Sequence, residues 1–156
     1  MADLKTKYMG IELKSPVVAA SSGLTASVDK VKELEQAGAG AVVLKSLFEE
    51  QILYDSNKMT DGFNADVHAD ALDFFNGMST NYFLDEYLTL VEDCKKAVDI
   101  PIIASVNCVS DGAWLKYAKR FENVGADALE LNTFSIPVNK TMSSEDYENV
   151  YYNLAR

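Results

Sequence analysis

The sequence predicts an α/β fold with a parallel sheet. Short apolar runs alternate with amphipathic stretches along the chain, which is the pattern of strands joined by helical crossovers. The apolar runs end in Ser, Lys or Asn. One segment is also echoed at an offset of 87 residues.

The elements follow in order. Residues 7–15 alternate about Gly10 and predict a short hairpin. Pro16–Ala20 is a first apolar strand, ending in Ser21-Ser22-Gly23. Ser27 is placed to cap a helix whose apolar face is Val28, Val31 and Leu34, and Gly38 fits the position just past its end. Ala41–Lys45 is a second buried strand. Residues 46–80 are mixed and rich in Asp and Asn, with one weak helix around 65–75. A clear helix then carries Leu84, Tyr87, Leu88, Val91, Cys94 and Val98 on one face. Pro101–Val106 is the third strand. Asp111 is placed to cap a third helix, with Trp114, Leu115, Ala118, Phe121 and Val124 inward. Ala128–Asn132 is the fourth strand. Ser143-x-x-Asp146 resembles a capping pair for a last helix carrying Tyr147, Val150, Tyr151 and Leu154.

Alternation of this kind implies right-handed crossovers and a parallel sheet. The echo sharpens it. Glu35–Lys45 (EQAGAGAVVLK) matches Glu122–Asn132 (ENVGADALELN). Each copy reads as helix end, Gly-Ala turn, strand, and a polar residue at the strand's C-terminus. Doubly wound sheets and (β/α)8 barrels are both built of such units, and internal similarity favours the barrel. The expected fold is therefore of (β/α)8 TIM-barrel type. Residues 1–156 form a single domain, a half barrel of about the first four β/α units with an N-terminal hairpin; a whole barrel takes about 200–250 residues. Val17, Val43, Ile103 and Leu129 are expected to point inward. An uncovered apolar inner face and two open sheet edges would favour association, as a homo-oligomer or by pairing with a missing C-terminal half.

Composition narrows the function. Twenty-four acidic residues stand against 14 Lys and Arg, a net charge of −10. That disfavours nucleic acid, whose phosphates need a basic face, and an anionic membrane surface. No apolar run approaches the roughly 20 residues needed to cross a bilayer. The N-terminal MADLK has no apolar signal core, so the expected location is cytoplasmic. Cys94 and Cys108 make neither a disulfide framework nor a zinc site, and with His68 the sole histidine no metal site is expected. Cys94 reads as helix-face packing, Cys108 as a small buried residue, His68 as a surface residue, and the Tyr147, Tyr151, Leu154 stripe as core or partner surface.

In parallel α/β folds the chemistry gathers at the C-terminal ends of the strands. Those ends carry Ser21, Ser22 and Gly23, then Lys45 and Ser46, then Asn107 and Cys108, then Asn132, Thr133 and Ser135. A lysine directly after Val-Val-Leu is expected to be half-buried against a polar or anionic group, or to snorkel to the rim. Asn107 and Asn132 serve equally as turn formers or satisfied core amides. Three amide or amine groups converging on one rim suit a planar heterocycle with carbonyl edges, since Asn both donates and accepts.

Six segments, in this order, carry a more specific likeness: GIELKSP at 10–16, ASSGLT at 20–25, VLKS at 43–46, NGMS at 76–79, ASVN at 104–107 and LELN at 129–132. With them the chain resembles the N-terminal half of the dihydroorotate dehydrogenase family, flavoproteins built on a (β/α)8 barrel. The resemblance implies FMN as cofactor, a dihydropyrimidine as small-molecule substrate oxidised to a pyrimidine, and usually a dimer. It implies that Ala20, Ser21 and Gly23 let the backbone approach the flavin, since small residues permit close contact. It places Lys45 beside the flavin and the substrate, stabilising negative charge on the reduced ring, with Ser46 following it. Asn76 and Met78 match loop residues that hold the substrate carboxylate. Asn107 and Asn132 match amides that contact the flavin, Asn132 also the substrate. Ser135 stands where the family has its Cys or Ser base, three residues after the strand-ending Asn. Ile136 and Pro137 replace the family's Pro and substrate-holding Asn. A further lysine and the glycine-rich turns for the FMN phosphate belong to the family's second half, so the isolated chain is expected to be inactive. The alternative is a non-catalytic half barrel that works only in association with another chain.

Overall fold

A computed structural model describes residues 3–48, 50, 51, 54, 69–107, 113–133 and 139–154, and not the side chains of 69–81, 113–116, 150 and 154. The N-terminal hairpin forms as expected. β1 (Thr6–Tyr8) pairs antiparallel with β2 (Ile11–Leu13) across Met9 and Gly10. Both turn residues have positive φ, 50° and 82°, the two-residue geometry whose twist matches that of the strands.

The main sheet contains β3 (Val18–Ala19), β4 (Ala41–Val43), β5 (Leu47–Phe48), β6 (Ile102–Asn107) and β7 (Ala128–Asn132). All pairings are parallel: β3 with β4, β4 and β5 with β6, and β6 with β7. With β4 and β5 counted as two parts of one strand, since both pair with β6, strand neighbours follow chain order without the reversal that marks a doubly wound sheet. The mixed α/β arrangement is consistent with a segment of an α/β barrel.

One face of the sheet is covered by helices. α1 (Val28–Gln36), α2 (Ala69–Ala97) and α3 (Ala113–Asn123) bury Val31, Val91, Cys94 and Phe121 against Val42, Ile102, Ala104 and Val106. Each such aliphatic side chain removed from water contributes roughly 1.5–3 kcal/mol. The stripe Leu84, Tyr87, Leu88, Val91, Cys94 and Val98 is buried throughout, as its helical spacing requires. The other face is covered near its lower end by the hairpin: Leu13 packs on Ala41, Val43 and Ile103, with Ile11, Val18 and Ala128 around them. The expected bare apolar inner face is therefore corrected, because β2 supplies its lid.

The echo is structural. Gly38 and Gly125 have φ of 95° and 88°, and the next residues close the helix ends alike, Ala39 N–H to Leu34 C=O and Ala126 N–H to Phe121 C=O. The copies differ at the next position. Gly40 lies against Ser15, whose carbonyl oxygen would be 1.9 Å from an added Cβ. Asp127 instead accepts from Ile102 N–H at 2.7 Å and pairs with Lys95 at 2.6 Å. α4 (Ser144–Leu154) starts at the predicted pair: Ser143 N–H donates to Asp146 at 2.7 Å, and Asp146 N–H donates to Ser143 Oγ at 3.2 Å.

Three expectations are revised. Val17 is exposed and Val18 takes the inner face, while Leu129 packs toward the helices and Ala128 inward. A strand's period of two makes a one-residue slip reverse the face. Ser27 occupies the N-cap of α1 without a side-chain cap bond. Residues 69–97 form one 29-residue helix rather than a weak helix, a loop and a second helix; Asn76 and Gly77 are poor helix formers, but no proline interrupts the segment and the helix runs through them. Tyr151 is exposed, which of the two readings of its stripe leaves that of a partner surface. Asp111 lies outside the described residues.

Candidate functional site

The second strand breaks where the site begins. Val43 pairs with Ile103 and Leu47 with Val106, so one strand spends four residues where β6 spends three. This is a one-residue bulge, a device that re-aims side chains. Leu44 N–H still reaches Ile103 C=O at 2.9 Å. Beyond it the chain leaves the ladder. Lys45 N–H turns to Thr25 C=O at 3.3 Å, and Ser46 N–H donates to Ser21 Oγ at 2.9 Å.

The departure leaves Ser105 of β6 without a strand partner on that edge. Tyr87 of α2 fills the slot. Its hydroxyl accepts from Ser105 N–H at 3.0 Å and donates to Ser105 C=O at 3.2 Å. The ring packs edge-on against Phe121, centroids 5.4 Å apart. Burial, the largest influence, pushes the Tyr87 hydroxyl up to about 12.

A row of polar side chains crosses the strand ends. Ser21 Oγ lies 3.0 Å from Ser46 Oγ, Ser46 Oγ 2.7 Å from Ser105 Oγ, and Ser105 Oγ donates to Glu130 Oε1 at 2.7 Å. Each strand position contributes one member. Ser105 is fully buried and Ser46 nearly so, while Glu130 is exposed on the inner face. Glu130 also lines, with Ala20, Val43 and Ile103, a cleft of about 530 Å³ closed on its other side by the hairpin.

The predicted residues distribute around this row. Ser21, Gly23, Lys45, Ser46, Asn107 and Asn132 all sit at strand ends. Asn107 and Asn132 are register partners on β6 and β7, half-buried, and neither amide makes a side-chain hydrogen bond among the described residues. Gly23 opens a 3-10 turn over Gly23–Thr25 fixed by a reciprocal Ser22–Thr25 cap, and a Cβ there would meet nothing within 4 Å.

Of the two expectations for Lys45 the structure gives the exposed one: it pairs with no carboxylate among the described residues, and the bulge turns its backbone out of the ladder. It lines a second cleft of about 760 Å³ with Ser46, Phe48, Glu86 and Tyr87. Asn132 lines a shallower depression with Glu130, Thr133 and Tyr151. Asn76 and Met78 lie within α2 instead of a loop. Ser135, Ile136, Pro137, Cys108 and His68 lie outside the described residues. Ser105, Glu130 and Tyr87 escaped the sequence reading as site residues. The one available signal was alternation in Ala128–Asn132, which puts Glu130 and Asn132 on one face.

Among the described residues no helix is long and apolar enough to cross a membrane. No family model matches the chain. Known relatives do. The chain is 31% identical over 133 residues to the catalytic subunit of dihydroorotate dehydrogenase B (NAD(+)) of Thermoplasma volcanium, covering 85% of this chain and 42% of that protein. It is 30% identical over 135 residues to the same subunit of Thermoplasma acidophilum, with the same coverage. It is 31% identical over 133 residues to that of Methanocaldococcus jannaschii, covering 83% of this chain and 41% of the relative. The chain thus spans less than half the length of these relatives. The likeness carried by six short motifs holds over most of the sequence, and the chain is a relative of the dihydroorotate dehydrogenase family.

Proposed function

We propose that this chain provides the first four β/α units of an FMN-dependent barrel that oxidises a dihydropyrimidine to a pyrimidine, the dihydroorotate-to-orotate step of pyrimidine biosynthesis. The observation that carries the reading is the donor set at neighbouring strand ends. Lys45 has an exposed ammonium without an ion pair among the described residues, and Asn107 and Asn132 have amides without hydrogen bonds there. Such groups fit the carbonyl and N–H edge of a planar heterocycle, and the space over Gly23 admits close approach.

Ala20, Ser21, Gly23, Lys45, Ser46, Asn107 and Asn132 would hold the flavin, and Asn76, Met78, Lys45 and Asn132 the substrate. Bound FMN would supply the hydride acceptor. Lys45 would stabilise negative charge developing beside it. Ser135 would take the proton from the substrate carbon, and a serine hydroxyl needs activation by its surroundings to do so.

Anaerobic reduction by dihydroorotate tests this, on flavin loaded into the longer polypeptide or into an assembly of two halves. Lys45→Ala should lose about 2–4 kcal/mol of transition-state stabilisation, slow reduction at least about tenfold and shift the flavin potential. Ser135→Ala should slow reduction as much or more and leave the potential in place. Reduction at the parent rate in Ser135→Ala would remove Ser135 as the base, and failure of any loaded assembly to be reduced would end the reading.

A second reading has its own support. No strand pairs with the outer edges of β3 and β7 among the described residues, and unpaired edges invite another chain. On that reading the chain works only in association, as a homo-oligomer or with a complementary half. A stable monomer in sedimentation at micromolar concentration would refute it.

A further inference from the structure

We propose that Glu130 is a positioning residue: through Ser105 and Ser46 it fixes the direction of every hydroxyl proton in the row. At the β3 end the Ser21 hydroxyl then offers a ligand a lone pair, not a proton, and selects an N–H group over a carbonyl. The proposal rests on reading the strand ends as a ligand site.

The direction follows from counting protons. A serine hydroxyl has one proton to give and a carboxylate has none. Ser105 gives its proton to Glu130 at 2.7 Å. The 2.7 Å contact between Ser46 and Ser105 must then be donated by Ser46. With the Ser46 proton used, Ser21 must donate across the 3.0 Å contact to Ser46. Ser46 N–H donates back to Ser21 Oγ at 2.9 Å. Three protons point the same way, toward Glu130, and bonds aligned head to tail strengthen one another. Ser21, half-buried at the open end, keeps only a lone pair to offer.

The polarity belongs to Glu130, not to the serines. With no acceptor at position 130, the nearest group for the Ser105 proton is Ser46 Oγ. The row can then run backwards, and Ser21 directs its proton outward. The shape of the turn stays the same while its hydrogen-bonding character inverts. The other polar neighbours do not set the direction: Tyr87 bonds the Ser105 backbone, and Thr25 Oγ1 is engaged with Ser22.

The test uses the chain itself, labelled with 15N, and needs no flavin. Glu130 is exposed, so its variants should fold. Glu130→Gln removes the charge and keeps an acceptor for Ser105; Glu130→Leu removes both. The Ser46 amide resonance should stay near its parent position in Glu130→Gln and move in Glu130→Leu. Ser105→Ala, which cuts the row while leaving the carboxylate, should move it in the same direction as Glu130→Leu. Equal movement in the Gln and Leu variants would show a charge effect and overturn the proposal, as would movement in neither. The ligand consequence is read with succinimide and N-methylsuccinimide as probes. The parent should show Ser21 and Ser46 amide shifts with succinimide only, and Glu130→Leu should respond to both. An equal response of the parent to both probes, or to neither, would overturn the preference for N–H. The flavin assays above judge the ligand site separately, since the amide shifts report polarity whether or not flavin binds.

Discussion

Tyr87→Phe isolates the contact that keeps the second strand open. The change deletes one oxygen and keeps the ring that packs on Phe121. It leaves the N–H and the C=O of Ser105 unpaired in a residue with 0% exposure. Each orphaned buried group costs roughly 1–3 kcal/mol, so the expected loss for the two is about 2–6 kcal/mol. With a mid-range urea slope of about 2 kcal/mol per molar, the midpoint should fall by roughly 1–3 M. A second readout comes from pH. Burial raises the Tyr87 hydroxyl from its ordinary value near 10 to about 12, so the folded state holds this proton more tightly than the unfolded one. The contribution is fully present below pH 10 and is lost as pH climbs from about 10 to 12, amounting to about 2–3 kcal/mol. Tyr87→Phe should lack that alkaline loss while keeping the one from Cys94, whose thiol burial pushes up to about 11. Tyr82→Phe, at an exposed position, should stay within about 0.5 kcal/mol of the parent. If Tyr87→Phe costs less than about 0.5 kcal/mol, the hydroxyl does not hold the bulge and the reasoning fails.

Three further outcomes are expected. Gly40→Ala should destabilise far more than Gly38→Ala, because its Cβ would meet the Ser15 backbone at 1.9 Å whereas the Gly38 site is sterically open; Gly38→Ala should cost about 1 kcal/mol through its positive φ, and equal melting temperatures for the two would refute the close approach. Hydrogen bonds from the Ser143 backbone and then its side chain hold Asp146 below the usual carboxylate range. The start of α4 should therefore keep its cap above the ordinary Asp range and fray as pH falls through the lowered value, read by amide exchange at residues 144–147; pH-independent exchange protection there, or Asp146→Asn retaining the parent's pH response, would contradict it. Cys94 should resist alkylation in the folded chain near pH 8, since its raised thiol is fully buried; rapid labelling mapped to Cys94 would mean that α2 opens easily.

The sequence alone determined the elements whose causes are local. The stripe from Leu84 to Val98 has one helical solution, because only a period near 3.6 brings those side chains together. Gly38 and Gly125 end their helices because glycine tolerates the positive φ each position needs. Ser143 and Asp146 start a helix by bonds within four residues. The strand ends that gather Ser21, Lys45, Ser46, Asn107 and Asn132 were legible for the same reason: apolar runs must stop somewhere, and polar residues mark where.

Tertiary structure alone decided what depends on register and on distant partners. Whether Val17 or Val18 faces inward turns on pairing with Ala41, a contact that alternation cannot fix when both residues are apolar. The lid over Val43 and Ile103 comes from Leu13, far away in sequence. The bulge at Lys45 exists because Ser46 bonds Ser21 and Tyr87 takes the vacated slot on Ser105. Those partners lie 25 and 18 residues apart. The row from Ser21 to Glu130 joins four strand positions whose spacing carries no motif, so its direction could be read only once folding had brought a single carboxylate to its end.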